Sequence, residues 1–386
     1  MLKAILDLLV TCTVLLFDRI ALYGGKRSKS SLKRLLLVRI DYIGDFIIWL
    51  DTARYFRQYY PDHHITLVVY EPCVPLARQF PYWDAILPLN LKRFRFNPLY
   101  RFHYLRRIRK SGFEIAIQPV HSRAFFCGDA IIHASAAKER IGSTGDNSNI
   151  TAVRKRISDR WYSKLILIKS PVELKRNSDF VKKLFNIELN PHLYKLPLIL
   201  NLRKELQFNR SYYVLFPGAS SIHRRWPIAN FIEIASIIHR KTGWLGVVCG
   251  GKDETGLCGR IVENSTTPII NLAGRTTLLE LIEVIRHSAF FIGNETSGIH
   301  IAAALRTPSV CILGGGQNNR FLPYLVDDNE KTCLPVTVIH SMPCFGCDWR
   351  CKYTLKQEAT FPCIENITVT DVAEAVMKCF SLMSET

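Results

Sequence analysis

Short, wholly apolar runs alternating with helix-length segments constrain this chain more than any other feature. Leu35-Leu36-Leu37-Val38, Ile65–Val69, Ala85–Leu89 and Glu114–Gln118 read as strands in the first half. Tyr212–Phe216, Leu245–Val248, Ile269–Leu272, Ala289–Ile292 and Ser309–Leu313 read the same way in the second. Helical patterns fall between them, at Phe46–Tyr60, Tyr100–Lys110, Ala130–Ala137, Ile228–Arg240, Leu257–Glu263, Leu278–His287 and Ile299–Leu305. Strand and helix in strict alternation predict an α/β fold of doubly wound parallel sheets. At 386 residues there is chain for two such domains. The expected division is an amphipathic helix with a basic linker over 1–31, a first Rossmann-like domain over 32–205, and a second over 206–386. Residues 143–176 lose the periodicity and are expected to form loops over the first domain's face. The last helix, Val369 to Leu382, is expected to cross back to the first domain. Two parallel sheets in one chain put the natural ligand site in a cleft beyond the strands' carboxyl ends.

Composition narrows the partners. The chain is 48% hydrophobic, enough for sizeable cores and too much for global disorder. A formal charge of +18 predicts an anionic partner: a nucleic acid, a membrane surface or an acidic substrate. The basic residues crowd the first half, as in Arg101–Lys110. Residues 1–23 are apolar but interrupted by Lys3, Asp7, Thr11 and Asp18, which makes a poor membrane span. Lys3, Asp7 and Thr11 recur every four residues, so a helix there carries one narrow polar stripe. Lys26, Arg27, Lys29, Lys33 and Arg34 follow at once, and together they predict an interfacial helix with a polybasic anchor. A helix docked on the protein's own core is the other reading. Of twelve cysteines, most are scattered singly in apolar segments and read as reduced core residues of a cytoplasmic protein.

The loops after the second domain's strands carry the candidate chemistry. Asn294-Glu295-Thr296-Ser297-Gly298 joins a strand to a helix, where backbone N–H groups favour anions. Glu295 adds an acceptor for sugar or ribose hydroxyls. Such a pairing suits a nucleotide sugar, which is diphosphate at one end and polyol at the other. Pro217-Gly218-Ala219-Ser220-Ser221-Ile222-His223-Arg224-Arg225 offers a close-approach glycine, hydroxyls and guanidinium groups, and Arg224 suits a phosphate because its fork stays charged and binds bidentately. Gly250–Glu254 and Asn271–Thr277, with Glu254 and Thr276, close the next two strands at the same topological point. In the first domain Gly44-Asp45 stands at a loop-to-helix junction. By position alone Asp45 reads as a helix cap, and a carboxylate there also suits a general base.

Four blocks in this order, LLLVRIDYIGDFI, PGASSIHRRWPIANF, GGKDE with NLAGRTTL, and GNETSGIHIAAALRTPSV, resemble glycosyltransferase family 9, the lipopolysaccharide heptosyltransferases. They span residues 35 to 310. The resemblance implies the GT-B architecture, inverting transfer from an ADP-heptose-like nucleotide-diphosphate sugar to an anionic glycolipid, no cofactor and no required metal. It implies that Asp45 is the catalytic base, that Ser220 and Arg224 contact the diphosphate, and that Glu254 lies near a nucleoside-binding acid. Thr296, Ser297, Gly298 and His300 match the donor loop. Many members have Lys where this chain has Arg224, and Glu295 stands where well-known members carry Asp. The acceptor's contacts are not identified by it. The expected place of work is the inner face of the cytoplasmic membrane, peripherally.

Cys344-Phe345-Gly346-Cys347, Cys351 and Cys363 have a CxxC start but no standard zinc spacing afterwards, so a metal site and a reduced loop both stay open. Two rival functions are weaker. A nucleotide-dependent oxidoreductase lacks GxGxxG after an early strand. A nucleic-acid-binding protein lacks a recognisable reading module.

Overall fold

The computed structural model describes residues 2–23, 32–199, 201–326, 334–353, 355, 356 and 358–384, with the side chains of 2–6 and 381–384 excepted. The expected basic residues Lys26, Arg27 and Lys29 lie outside them.

The chain forms two compact units. The first comprises Met1–Tyr42, Thr52–Ser170 and Arg176–Leu189; the second comprises Ile43–Asp51, Pro171–Lys175 and Asn190–Thr386. The helix Ile43–Tyr59 is therefore shared, its first turns belonging with the second unit.

The first unit holds a six-stranded parallel sheet of β1 (Arg34–Arg39), β2 (His64–Tyr70), β3 (Ala85–Leu89), β4 (Ile115–Gln118), β5 (Glu139–Ser143) and β6 (Lys164–Ile166), in the order β3-β2-β1-β4-β5-β6. The second holds β7 (Tyr212–Phe216), β8 (Leu245–Val248), β9 (Ile269–Asn271), β10 (Phe291–Asn294), β11 (Ser309–Ile312) and β12 (Val336–Val338), in the order β12-β11-β10-β7-β8-β9. Both are Rossmann orders, in which the chain reverses direction across the sheet beside its first strand. In such sheets ligands bind at the switch point, which falls here between β1 and β4 and between β7 and β10.

The apolar runs explain which strands are central. β4, β7, β8, β10 and β11 are buried at every position, as a strand covered by helices on both faces must be. The outermost β6 is three residues long and has one neighbour. It lies inside 143–176, where the sequence predicts loops, and the helices Ala152–Asp159 and Glu173–Phe185 begin there too. An edge strand with an exposed Lys164 buries too little to leave an apolar run.

The last helix, Val369–Ser384, does not cross back as expected. Its Val372, Val376 and Cys379 enter the second unit's own core with Tyr213, Trp226, Phe231 and Phe290. That apolar face is what β11 and β12 need as cover. The N-terminal helix, Leu2–Leu22, packs on the basic helix Pro98–Lys110, and Ala21 joins the first unit's core. Among the described residues no helix is long and apolar enough to cross a membrane.

Candidate active site

The second unit's crevice is tied shut at its base by a buried amide. Asn294, the last residue of β10, donates from Nδ2 to the Pro217 carbonyl (2.8 Å) and accepts at Oδ1 from the Trp226 N–H (3.1 Å). Both ends of the loop after β7 are thereby fixed to the end of β10. Asn294 was missed in the sequence because it reads as part of the turn. The signal was its position, one residue before Glu295.

Within this frame Arg224 and Glu295 meet. Arg224 donates from Nη1 to Ser220 Oγ (3.3 Å) and from Nη2 to the Glu295 carbonyl (3.1 Å), and its Nη2 lies 3.5 Å from Glu295 Oε2. Its guanidinium lies over the Trp349 ring at 4.1 Å from the centroid. Such a cation–π contact contributes roughly 0.5–2 kcal/mol. Burial lowers the guanidinium's pKa, opposed by Glu295.

Glu295 is buried, and neither carboxylate oxygen accepts a hydrogen bond among the described residues. Burial pushes its carboxyl up to about 7 against the pull of Arg224 and Arg320. From the usual 4.5 to about 7 the native state keeps a proton that the unfolded chain releases. Its contribution to stability is therefore fullest below pH 4.5 and falls as pH rises to about 7. Glu295→Gln removes that slope, on the order of 3 kcal/mol. The Tm difference between about pH 5 and pH 7.5 should shrink in the variant; equal differences in the two proteins would count against a carboxyl whose proton is held by burial.

Thr296 precedes the helix Ser297–Leu305 as an extended N-cap that makes no side-chain cap bond, and Ser297 and Gly298 form its first turn. His300, one turn in, is buried, paired through Nδ1 with the Tyr324 hydroxyl, and held down to about 4 by burial, hence neutral. Gly44 abuts it. A Cβ at Gly44 would stand 2.7 Å from His300 Cδ2, so only glycine allows this approach. Asp45 is the next residue, half-buried in the first turn of its helix. The N-cap there is Tyr42, so Asp45 does not hold the capping position the sequence suggested. Asp41 is ion-paired with Arg39 at 2.9 Å.

Glu254 folds back over the loop after β7. Its Oε2 accepts from the Gly251 N–H (2.7 Å), and a Cβ at Gly218 would fall 1.8 Å from its Oε1. Gly218 is thus the residue that lets the Glu254 carboxylate lie there. Gly218→Ala should displace the Glu254 carboxylate with little change in Tm, because a flexible side-chain end gives way. A melting curve beside a crystal structure of the variant checks this, and an unmoved Glu254 would count against the close approach. The Gly274 N–H bonds the Gly250 carbonyl (3.0 Å), which brings the loop bearing half-buried Thr276 alongside.

The cysteine-rich loop contributes a different residue from those its spacing advertises. Cys344, Cys347, Cys351 and Cys363 are free thiols around one apolar cavity of about 10 Å³, lined also by Met342, Trp349 and Phe361. No three His, Cys, Asp or Glu among the described residues are arranged to hold a metal. Trp349, which the sequence reading passed over, instead reaches from this loop to Arg224.

In the first unit a second polar cluster follows β4. His121 Nδ1 and Ser143 Oγ are 3.0 Å apart, Ser122 Oγ donates to Asp146 Oδ2 (2.8 Å), and Arg123 is wholly buried near Asp129 and Asp159. These residues also escaped the sequence reading. Their signal was a strand ending in Pro-Val-His-Ser-Arg, small, hydroxyl and basic like the loop after β7.

Comparisons with known proteins bear on the family and the fold. Lipopolysaccharide heptosyltransferase 3 of Escherichia coli is 22% identical over 297 residues, covering 73% of this chain and 83% of that protein. The solved ADP-heptose LPS heptosyltransferase II of E. coli superposes with a TM-score of 0.65 at 17% identity, over 92% of this chain and 99% of that one. The E. coli heptosyltransferase WaaC solved with ADP gives 0.64 at 13% identity, over 90% and 99%. At these identities the structures speak for the fold, which they share as GT-B enzymes. The family model of glycosyltransferase family 9 (heptosyltransferase) matches residues 103–349, well over half the chain. Two Rossmann sheets, a nucleotide-type crevice and that match together lead to one statement: this chain belongs to glycosyltransferase family 9, the heptosyltransferases.

Proposed function

We propose that the protein is an inverting, metal-independent heptosyltransferase that moves heptose from ADP-heptose to the core of a lipopolysaccharide at the inner face of the cytoplasmic membrane. The observation that carries this reading is Glu295: a buried carboxylate lacking hydrogen-bond donors, beside a flat, stacked guanidinium. Sugar hydroxyls supply the missing donors, and a diphosphate takes the guanidinium. The relatives named for ADP-heptose and lipopolysaccharide point to the same donor and acceptor.

In the proposed reaction an acceptor hydroxyl attacks the anomeric carbon opposite the diphosphate. The new C–O bond forms as the bond from that carbon to the phosphate oxygen breaks, and ADP leaves with the electron pair. Asp45 takes the hydroxyl's proton. Arg224 and the amide groups at Thr296–Gly298 receive the charge growing on the diphosphate, a task elsewhere given to a metal ion. The basic and hydroxyl side chains after β4 are suited to a phosphorylated acceptor.

Incubation with radiolabelled ADP-heptose and core fractions lacking heptose tests the reading. Label should reach the core, with the anomeric configuration inverted, and EDTA should not reduce the rate. Transfer from another nucleotide sugar with none from ADP-heptose would overturn the donor assignment.

A further inference from the structure

The N-terminal helix is turned the wrong way for a helix of a soluble protein. Such helices bury an apolar stripe and wet a polar one. Here Thr11 and Asp18 are buried, and Asp7, 42% exposed, is held by an ion pair. Asp18 takes two hydrogen bonds from buried Arg101, Nε to Oδ1 (2.6 Å) and Nη2 to Oδ2 (2.5 Å). Arg154 pairs with Asp7 and donates from Nε to Thr11 Oγ1 (3.0 Å), its guanidinium lying over Phe126. Phe17 and Phe102 meet edge to face. These contacts leave an apolar face on the outside: Leu8 is 55% exposed, Leu16 62%, Ile20 57% and Tyr23 85%. With Cys12 they recur every three or four residues, so they form one stripe, roughly 22 Å long at 1.5 Å per residue. Leu9 and Val10 widen it, and Arg19 is exposed among them. A row of exposed apolar side chains of this extent marks an interaction site.

What lies beside the stripe selects its occupant. At its carboxyl end Arg106 Nη1 donates to the Tyr23 carbonyl (3.5 Å). Arg106 also lines an open basin of about 410 Å³ with His103, Arg107, Lys110 and Ser111, a lining without a carboxylate. Apolar stripe and cationic basin are continuous. A second copy of this chain brings the same charge of +18 and is repelled. A bilayer with anionic phosphates above acyl chains complements both parts at once.

We propose that the outward face of helix Leu2–Leu22, with the basin of His103, Arg106, Arg107 and Lys110, is the surface on which this protein docks to anionic phospholipid bilayers. The inference deepens the reading of a membrane-borne acceptor, and its test does not depend on that reading. The helix lies in the headgroup boundary with Leu8, Leu16 and Ile20 in the acyl layer, while the basin holds lipid phosphates. The ion pairs with Arg101 and Arg154 keep the helix oriented before it meets a membrane.

The experiment is co-sedimentation of the full chain with phosphatidylglycerol-containing vesicles and with pure phosphatidylcholine vesicles, across a salt series. The wild type should bind the anionic vesicles, more weakly as salt rises. The triple variant Leu8→Glu, Leu16→Glu, Ile20→Glu should lose at least tenfold in partitioning, with ADP binding and Tm unchanged. Arg107→Glu with Lys110→Glu should lose the preference for anionic vesicles, about fivefold for each charge removed. A second variant, Leu16→Trp, keeps the face apolar and should show extra fluorescence quenched by brominated lipid, so the idea stays testable if the triple variant does not fold. Absent binding by the wild type, or full binding by the triple variant, overturns the proposal. So does a dimer that the triple variant dissociates in a protein indifferent to vesicles. Vesicle binding without ADP binding would leave the surface standing and sink the transferase reading instead.

Discussion

Asp45→Asn should lower turnover by about 10²–10⁴-fold, the range typical of a lost general base, while donor affinity stays within a factor of two or so. The side chain keeps its size and its place in the first turn of helix Ile43–Tyr59. Removing a first-turn charge costs roughly 0.3–1 kcal/mol through the helix dipole. The kinetic loss corresponds to about 3–5 kcal/mol, so chemistry outweighs helix stability by several-fold. Tyr42 rather than Asp45 is the N-cap, and asparagine keeps a side-chain oxygen that can still accept a hydrogen bond there. Steady-state kinetics with ADP-heptose, alongside a melting curve, makes the measurement. Near-normal turnover would remove Asp45 from the chemistry. Asp41→Asn is the control: its partner Arg39 is 1% exposed, so that change should show first in stability.

Arg224→Ala should weaken binding of ADP and of ADP-heptose alike by one to two decades, since a charge-assisted contact is worth roughly 1.5–3 kcal/mol. Two features of the site set the sign and size. The Arg224 side chain is 19% exposed, so a phosphate held there would be less screened from it than at the open surface. Trp349 and the Glu295 carbonyl hold the fork in one orientation, so little rotamer freedom remains to be lost on binding. Arg224→Lys should recover part of the affinity but not the stacking, because an ammonium lacks the planar face. Titration calorimetry with ADP discriminates the cases, and unchanged affinity in Arg224→Ala would take the residue out of the donor site. Trp349→Ala should show a smaller loss in the same direction.

The central strands of both sheets were legible in the sequence, whereas their order, and the strands Glu139–Ser143 and Val336–Val338, were not. Unbroken runs such as Leu35–Val38 and Tyr212–Phe216 have no polar position to face water, so they must be central parallel strands with helices on both sides. The loops after them were legible for the same reason: Gly218, Ser220, Arg224, Glu295 and Thr296 are small, hydroxyl or charged residues directly following buried strands. β6 was not legible, since a three-residue edge strand satisfies only one neighbour and carries no apolar signature.

Tertiary structure alone decided the pairings between distant segments. No local pattern tells that Trp349, from a loop marked by its cysteines, lies under Arg224, or that Gly44 owes its identity to His300. These contacts join residues more than a hundred positions apart, and sequence periodicity reports only on neighbours within one element. The N-terminal helix makes the point most sharply. A polar stripe of Lys3, Asp7 and Thr11 was legible in the sequence, but a stripe does not say which way it faces. Arg101 and Arg154, supplied by two other helices, hold Asp18 and Asp7 and leave the leucines outside. Periodicity determined that the helix has two faces; partners far along the chain decided which of them meets the solvent.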